Sequence, residues 1–364
     1  MGRVGAVSLA VLFAFGCKPE FSERSSEVRS LRVLAVRTEP GEWQTVLDPD
    51  TGGAKPAAFR ALVVTPEGND TTAPLNWAFC SLPKPLTELN DVTIRCFEWE
   101  ADYLVPMGTG TNVSAPVPEN ACRQFGPDVP EDQAYRPADP DVTGGYYQPV
   151  RILLEPGDGS LVSAVAKVRI KCGLPGATQE QIISYQRRYH PNTNPSIQGV
   201  EALLPRGSQP AVPLESDPNA PPLQVAPGQK FELRVSWPGA PLTDACGDGY
   251  CGPTESKDAA DPNACAADCS PEKGSGGAER YLAFDQETRQ LRELRESMRV
   301  SWYTAEGFGS FADDRTGAAE NDPTTFASNR FTAPQASGDF PIWVVLRDSR
   351  GGVDWKSIRI RVAP

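Results

Sequence analysis

The sequence contains one histidine, His190, and lacks the motifs that most often mark an enzyme. It has no G-x-S-x-G nucleophile elbow and no phosphate-binding P-loop. It also lacks a basic stripe. Its 35 Lys and Arg are outnumbered by 47 Asp and Glu, and the net charge of −12 is spread along the chain. We therefore expect no catalytic activity, no nucleic-acid partner and a loop position for His190. A pair of carboxylates that hydrolyses glycosides would leave no such motif, so that alternative stays open.

Beyond the N-terminus, the chain has no apolar run long enough to cross a bilayer. The run Val4–Phe15 follows a single Arg3 and is too short for a permanent transmembrane helix. It predicts a signal peptide over residues 1–16.

The end of this peptide resembles the lipobox of bacterial lipoproteins, in the residues Ala14, Phe15, Gly16 and Cys17. It departs from the usual pattern at Ala14, where Leu is commonest, and at Phe15, where a small residue is usual. The resemblance implies cleavage before Cys17 and attachment of acyl chains such as palmitate, with the membrane as a partner. Since Lys18 rather than Asp follows, it also implies an outer-membrane location, facing the periplasm or the exterior.

Alternation of apolar and polar residues predicts strands rather than long helices. In the stretch 162–172, every second residue from Val162 to Cys172 is apolar, and 231–237 repeats the pattern. The 36 Pro and 32 Gly also favour short strands and turns. One short helix is predicted over 285–298, where Leu291, Leu294 and Met298 have helical spacing and Asp285 is a suitable cap.

The second half resembles bacterial immunoglobulin-like domains in the stretches "VSWYTAEGFGSF", "NRFTAP" and "GDFPIWVVLRDSRGG". This resemblance implies a seven-stranded sandwich over roughly residues 220–363, whose last hairpin uses Gly351 and Gly352 at positive φ. The stretch "LRVLAVRTEP" suggests a related sandwich in the first half. The whole arrangement resembles uncharacterised two-domain lipoproteins of myxobacteria, which carry the same "ERY" and "WVVLRDSRGG" features.

The expected fold is therefore all-β, with two immunoglobulin-like β-sandwich domains and a disulfide-rich insertion in the second. The expected organisation is a signal peptide at 1–16, a lipidated tether at 17–30, a β-sandwich at 31–204 with a long stapled excursion at 100–146, a Pro-rich linker at 205–228, and an immunoglobulin-like domain at 229–364 with a cysteine-rich insertion at 246–269.

Eight of the nine cysteines remain once Cys17 is assigned to lipid, and an even number in an oxidising compartment predicts disulfides. They are Cys80, Cys96, Cys122, Cys172, Cys246, Cys251, Cys265 and Cys269. In an immunoglobulin domain Cys80 would be a partner for Cys172, but the alternation places Cys80 away from the core and Cys172 towards it. We therefore favour Cys80–Cys96 and Cys122–Cys172. The last four cysteines allow three pairings, which the sequence leaves open, and their spacing disfavours zinc.

The insertion also carries hard oxygen donors that calcium prefers, and it resembles cysteine-rich repeats of bacterial surface proteins. The candidate ligands are Asp248, Glu255, Asp261, Asn263 and Asp268. The simpler interpretation is that these residues solvate a stapled loop, because Asp and Asn favour turns. Ca²⁺ is the one cofactor that the sequence suggests.

Besides the glycoside-hydrolysing enzyme left open above, three functions remain. The first is a lipid-anchored structural or interaction protein of the envelope, a scaffold or adhesin with a protein partner. The second is a polysaccharide-binding lipoprotein, for which Trp43, Trp99 and Trp355 are candidate stacking surfaces, whereas Trp77, Trp237 and Trp302 fit the core. The third is a calcium-stabilised adhesion module.

Overall fold

The structure is a computed structural model of the whole chain. It describes residues 24–44, 55–85, 87–89, 91–127, 140–156, 160–205, 211–217, 220–240, 243, 245–270 and 273–364. The predicted signal peptide and Cys17 lie outside these ranges. Among the described helices, none has the length and apolar character needed to cross a membrane.

The first half of the chain is built of strands, with short helices between them. The strands are β1 (Glu27–Val28), β2 (Arg32–Glu39), β3 (Glu42–Trp43), β4 (Ala57–Thr65), β5 (Gly68–Asn69), β6 (Asn76–Cys80), β7 (Leu104–Thr109), β8 (Asn112–Ala115), β9 (Tyr146–Leu154) and β10 (Val162–Ile170). The helices are a 3-10 turn at Ile94–Phe97, α1 (Ala121–Phe125) and α2 (Gln179–Arg188).

Of these strands, β2 to β10 form the first sandwich. Sheet 1 has the order β3-β10-β9-β6-β7, and sheet 2 has β2 beside β4, which also pairs with β5 and β8. The core between the two sheets includes Phe59, Trp77, Phe79, Val150 and Ile152, all nearly inaccessible to solvent. The alternation predicted for 162–172 is present, because Val162, Ala164, Ala166 and Val168 all pack on this core.

The described residues of the second half form twelve strands and one short helix. The strands are β11 (Gly199–Leu203), β12 (Val212–Pro213), β13 (Leu223–Val225), β14 (Lys230–Ser236), β15 (Arg280–Asp285), β16 (Gln290–Arg295), β17 (Met298–Ala305), β18 (Ser310–Phe311), β19 (Arg315–Ala318), β20 (Phe326–Thr332), β21 (Gly338–Asp348) and β22 (Val353–Val362). The helix is α3 (Ala266–Cys269).

The second sandwich packs sheet 3 on sheet 4. Sheet 3 has the order β1-β17-β21-β22-β13, with β19 also on β17, and sheet 4 has the order β12-β11-β14-β20-β18. Their core includes Leu233, Trp237, Val300, Trp302 and Phe331. Trp237 and Trp302 are thus in the core as predicted.

In each sandwich, an early strand joins one sheet and a following strand joins the other. In the first, β2 pairs antiparallel with β4, and β3 then pairs parallel with β10. In the second, β11 pairs antiparallel with β14, and β13 pairs parallel with β22. The all-β fold of two immunoglobulin-like sandwiches with a disulfide-rich insertion in the second is therefore confirmed.

The two sandwiches share a third core. The outer face of sheet 2 packs on the outer face of sheet 3, and this layer contains Leu34, Leu62, Trp343 and Val345. The Trp343 indole N–H donates to Asn69 Oδ1 across the layer at 2.7 Å. Among the described residues, four sheets are therefore stacked in the order 1, 2, 3, 4, and β15 and β16 form a separate two-stranded sheet.

Several predicted segment limits differ from the structure. Glu27–Val28, assigned to the tether, forms β1 and pairs parallel with β17, and Val28 is fully buried in the shared core. Gly199–Leu203, assigned to the first sandwich, forms β11 of the second because its apolar side chains complete that core. Leu223–Val225, assigned to the linker, pairs with β22.

The long surface excursion predicted at 100–146 is also partly wrong. Leu104–Thr109 forms β7 on sheet 1, and Asn112–Ala115 forms β8 on sheet 2. The Pro and Gly content of this stretch concealed both strands, since β7 itself contains Pro106 and Gly108.

The predicted helix over 285–298 is wrong, because this stretch forms strands. Its first part is the β15–β16 hairpin, in which Asp285 lies opposite Gln290 and Leu291 opposite Phe284. Asp285 does cap a local structure, but it is the turn, where its carboxylate accepts the N–H groups of Glu287 and Thr288 at 3.0 Å. The helical spacing of the apolar residues coincided with a strand that is half exposed.

Candidate functional site

The first two disulfides have the pairing that the alternation favours. Cys80 is bonded to Cys96, and Cys122 to Cys172. Cys80 lies on the opposite face of β6 from Phe79, and it is buried there beneath the segment that follows the strand, in a small cluster with Val92. The staple therefore fastens this segment to the outer face of sheet 1.

The insertion at 246–269 is held by two interleaved disulfides. Cys246 is bonded to Cys265, and Cys251 to Cys269. The three pairings that the sequence left open are thus reduced to one. Cys251, Cys265 and Cys269 are buried and form the centre of the insertion.

Asp268 and Asp248, two of the predicted calcium ligands, organise the start of the insertion. The buried Asp268 carboxylate accepts the backbone N–H groups of Gly247 at 2.5 Å and Gly249 at 3.1 Å. Asp248 accepts the N–H of Tyr250 at 3.0 Å. Both carboxylates therefore stabilise turns of the loop.

The other three predicted ligands are divided between the centre and the rim of the insertion. Glu255 is buried, and its carboxylate oxygen lies within 4.8 Å of that of Asp268 and of two cysteine sulfurs. Asp261 instead accepts the N–H of Asn263 at 2.9 Å and faces Arg187 of α2 at 3.7 Å. Of the five, the structure brings Glu255 and Asp268 together. Calcium binding stays a prediction.

His190 lies in the segment that follows α2, as predicted, but it is buried against the insertion. Its two ring nitrogens are 3.3 and 3.4 Å from Cys251 Sγ. Its backbone carbonyl accepts a hydrogen bond from Arg350 at 3.3 Å. The residue joins the insertion to the body of the molecule.

The candidate stacking tryptophans have different environments. Trp43 is 6% exposed and belongs to the first core, so its prediction as a surface is wrong: β3 turns its indole inward. Trp355 is half-buried against the shared core, with the Arg60 guanidinium 5.7 Å from its ring. Trp99 is 46% exposed, and Arg151 fixes its loop by donating to its carbonyl at 3.1 Å.

Three of the cavities that the described residues line have volumes of about 510, 460 and 300 Å³. The first of these lies between the sandwiches, beside β5, β13 and the first residues of β21. Trp99 lines none of the three.

A buried polar network at one end of the molecule is the feature that sequence reasoning missed. We call it the junction network, and it comprises Glu42, Arg169, Tyr189, Asn192, Glu279, Glu296, Asp348 and Arg350. All of these residues are buried. They come from both sandwiches, from the segment after α2 and from the β15–β16 hairpin.

The half of the network in the first sandwich is built on Glu42. Its carboxylate lies 3.2 Å from Arg169 Nε and accepts the Asn192 N–H at 3.1 Å. The Tyr189 hydroxyl donates to the other carboxylate oxygen. Arg169 in turn donates to Thr143 Oγ1 at 2.7 Å. The segment after α2 is thus fixed to β3 and β10.

The half in the second sandwich is built on Arg350, in the turn between β21 and β22. Its Nε lies 2.7 Å from Glu296, and its Nη2 lies 3.1 Å from Glu279. The guanidinium is centred 4.4 Å from the Tyr281 ring. A single cation therefore holds the two ends of the β15–β16 hairpin.

Asparagines of the connecting segment bridge the two halves. Asn192 Nδ2 lies 3.3 Å from both carboxylate oxygens of Asp348. Asn194 donates to the Thr38 carbonyl at 2.7 Å and accepts the Val353 N–H at 2.9 Å. The sandwiches are therefore joined by hydrogen bonds as well as by the shared core.

In the hairpin between β21 and β22, the positive φ implied for both glycines is confirmed for Gly351 and wrong for Gly352. Gly351 has φ +103°, which other residues rarely adopt. Gly352 is required for space, because a Cβ there would lie 2.0 Å from Asp348 Oδ2. Asp348 accepts the Gly352 N–H at 2.8 Å, so close approach of the backbone completes its hydrogen bonding.

Burial controls the protonation of the network. Desolvation raises the pKa of Glu296 well above its usual range and raises those of Glu279 and Asp348, although Arg350 opposes the shift. Burial by itself would lower the pKa of Arg350, but Glu296 and Glu279 outweigh it and the pKa is raised. Arg350 is therefore a permanent cation, whereas its carboxylate partners bind protons more readily than exposed ones.

The sequence carried little sign of this network. Glu42 and Arg169 occupy positions that strand alternation assigns to polar residues, and "ERY" and "RDSRGG" were noted as features of a resemblance without a role. Neither Glu279 nor Glu296 lines any of the three cavities described. The arrangement holds four chain segments together, and its carboxylates are enclosed.

Comparisons with known proteins give weak similarities. No family model matches the chain, and no curated protein matches it. Among solved structures, dimeric latent PorU from Porphyromonas gingivalis is 11% identical with a TM-score of 0.20, over 93% of this chain and 24% of that one. Clostridium thermocellum CbhA fibronectin(III)-like modules are 10% identical with a TM-score of 0.17, over 90% of this chain and 94% of that one. The Yersinia pseudotuberculosis adhesin InvE is 10% identical with a TM-score of 0.20, over 90% of this chain and 58% of that one. The chain spans about a quarter of the PorU chain. TM-scores this low carry no inference about function.

Proposed function

We propose that the chain is a lipid-anchored structural or interaction protein of the cell envelope, without catalytic activity. The observation that carries this proposal is the double connection between the sandwiches. The shared core buries Trp343 and Val345 completely, and the junction network adds hydrogen bonds from Asn192 and Asn194 that join its two halves. A two-domain protein that works by moving its domains has a smaller and more polar interface. The chain is built to keep its surface in one arrangement.

The lipid anchor is the part of the proposal that rests on sequence. Metabolic labelling with a palmitate analogue should label the unchanged chain and place it in the outer-membrane fraction. Cys17→Ser should abolish both the label and the membrane association. Equal labelling of the two chains would refute lipidation at Cys17, and it would leave the structural proposal untouched.

Rigidity can be measured directly. Spin labels attached at Val105 of the first sandwich and Phe326 of the second lie on exposed positions. We expect a narrow distance distribution between them, as narrow as that of two labels within one sandwich. A broad distribution would contradict the rigid-scaffold proposal.

A partner would be sought by mild cross-linking of the native envelope, followed by affinity capture of the anchored chain. A single envelope protein at constant stoichiometry would support the scaffold. Recovery of the chain with polysaccharide and without protein would favour glycan binding instead.

Glycan binding is a second candidate because one tryptophan, Trp99, is exposed on a fixed loop. Stacking of a sugar ring on an indole needs this kind of rigid surface. Trp99→Ala should abolish retention on envelope polysaccharide, whereas Trp355→Phe, at a half-buried position, should retain it. Equal retention by both variants would eliminate Trp99 as the site.

Calcium stabilisation of the insertion is a further proposal, supported by the closeness of Glu255 and Asp268. The melting temperature in millimolar Ca²⁺ should be higher than that in chelator, and Asp268→Asn should remove the difference. An unchanged melting temperature in Ca²⁺ would leave the disulfides as the only staple.

A further inference from the structure

Strand β10 is paired along one side for its whole length and along the other for only its last two residues. β9 pairs with it from Val162 to Ile170. On its second side, β3 pairs with Arg169 and Ile170 alone. Within the described part of the chain, residues 162–168 therefore form an open edge of sheet 1.

The backbone groups of this open edge can be identified from the end that is paired. The Lys171 N–H donates to the Trp43 carbonyl at 3.2 Å, so it points to the side of β3. Backbone groups of alternate residues in a strand point to the same side. Ser163, Val165 and Lys167 therefore each present an N–H and a C=O at the open edge.

Four other edge strands among the described residues are of kinds that discourage pairing. β7 contains Pro106, and its pairing with β6 has a register shift after Trp77. β5, β12 and β18 are two residues long. Residues 161–166 of the β10 edge, in contrast, contain no charge and no proline, and Leu161 is 51% exposed.

We propose that this edge pairs with the same edge of a second copy of the chain, antiparallel, about a two-fold axis at Ala164. An isologous contact needs a self-complementary surface, and the uncharged run around Ala164 is one. In this register Ser163 lies opposite Val165 of the second copy, and both exchange backbone hydrogen bonds. The two Ala164 side chains meet at the axis, where strands approach most closely.

Charge and space both favour this register. Lys167 lies opposite Leu161 of the second copy and not opposite another lysine, so like charges stay apart. Leu161 loses its exposure in the same contact. The paired region ends at Lys167, before β3 occupies the edge at Arg169. The association joins two five-stranded sheets into one.

The first test is a cysteine at the axis. Non-hydrogen-bonded neighbours in antiparallel strands have Cα atoms about 4.5 Å apart, within the range of a disulfide. In the full chain carrying Cys17→Ser, Ala164→Cys should give a dimer that reductant dissolves. The matched control is Val105→Cys, which is 42% exposed on the other edge of sheet 1. Equal dimer formation by both variants, or none by either, would overturn the proposal.

The second test leaves the monomer intact. Val165→Pro removes an N–H that points to the open edge, at a strand edge where proline is tolerated. Sedimentation equilibrium should show concentration-dependent dimers for the unchanged chain and for Val165→Thr, and monomers for Val165→Pro with the same melting temperature. Pairing through β10 would be refuted if the unchanged chain stays monomeric at its highest soluble concentration, or if the Val165→Pro chain still dimerises.

Discussion

Arg350→Met should be among the most damaging single substitutions in the molecule. Arg350 is 1% exposed and pairs with Glu296 at 2.7 Å and with Glu279 at 3.1 Å. Methionine fills much of the volume but leaves both carboxylates buried without a cation. Removing one partner of a buried pair costs about 3–5 kcal/mol. For a domain of this size, each kcal/mol shifts the melting temperature by about 2–4 °C, so the expected decrease is on the order of 10 °C.

The penalty should depend on pH with a defined sign. Without Arg350, the pKa values of Glu279 and Glu296 rise further, since the largest influence that opposes their desolvation is gone. The folded variant then holds both carboxyl groups in the neutral form. Ionising them in the buried site as the pH rises costs stability. The variant should therefore approach the unchanged chain at acidic pH and fall further below it as the pH increases.

Thermal melts by circular dichroism over a pH series would measure this effect. The matched control is Arg361→Met, which breaks a short two-pronged pair with Asp339 at 2.6 Å on the surface. Exposed pairs contribute little to stability, so the control should melt close to the unchanged chain. Adding Glu279→Gln and Glu296→Gln to Arg350→Met should remove most of the pH dependence. If Arg350→Met and Arg361→Met melted alike, the junction network would not stabilise the fold as described.

Three further predictions concern the pH dependence of the unchanged chain, the insertion and the first core. The pKa values of Glu296, Glu279 and Asp348 are raised in the folded state, so folding favours their protonated forms. The unchanged chain should therefore lose stability as the pH rises above about 4. Chemical denaturation at several pH values would measure this loss, and stability that rises steadily with pH would contradict it. Replacing Cys251 and Cys269 together by Ala should cost about 2–4 kcal/mol in the stability of the insertion and expose it to protease, whereas the rest of the chain stays resistant; limited proteolysis followed by mass spectrometry would show whether cleavage is confined to 246–269. Phe59→Ala should cost about 3–5 kcal/mol, since its ring is fully buried between Trp77 and Phe79, and a denaturant midpoint close to that of the unchanged chain would show that this core repacks.

The sequence predicted the strands where one face is apolar and the other polar. The stretch 162–172 is an example, because alternation over many residues has no competing helical interpretation. The same reasoning placed Cys80 and Phe79 on opposite faces and so favoured the observed disulfides. Where both faces of a strand are half exposed, as in β16, the few apolar residues matched a helix by coincidence.

The relation between the sandwiches was beyond sequence reasoning. Trp343 and Val345 were expected in a long apolar strand, but period and composition do not show that their two faces serve two different cores. Glu42 and Asp348 stand 306 positions apart, and each is an ordinary polar residue of a strand end or turn until the other sandwich buries it. Trp43 was misplaced for a related reason, since a two-residue strand has no alternation to reveal which way it faces.

The pairing of β1 with β17 determines when the chain can finish folding. The Arg24 side chain donates to the carbonyl of Phe311, 287 positions later, and Thr304 donates to Ser26 at 3.0 Å. Contacts this distant are among the slowest to form, because the intervening chain must be ordered first. During synthesis the first strand emerges earliest, yet its place in sheet 3 does not exist until β17 has been made. The start of the folded body therefore emerges first but cannot be fixed in place before Ala305 has been synthesised.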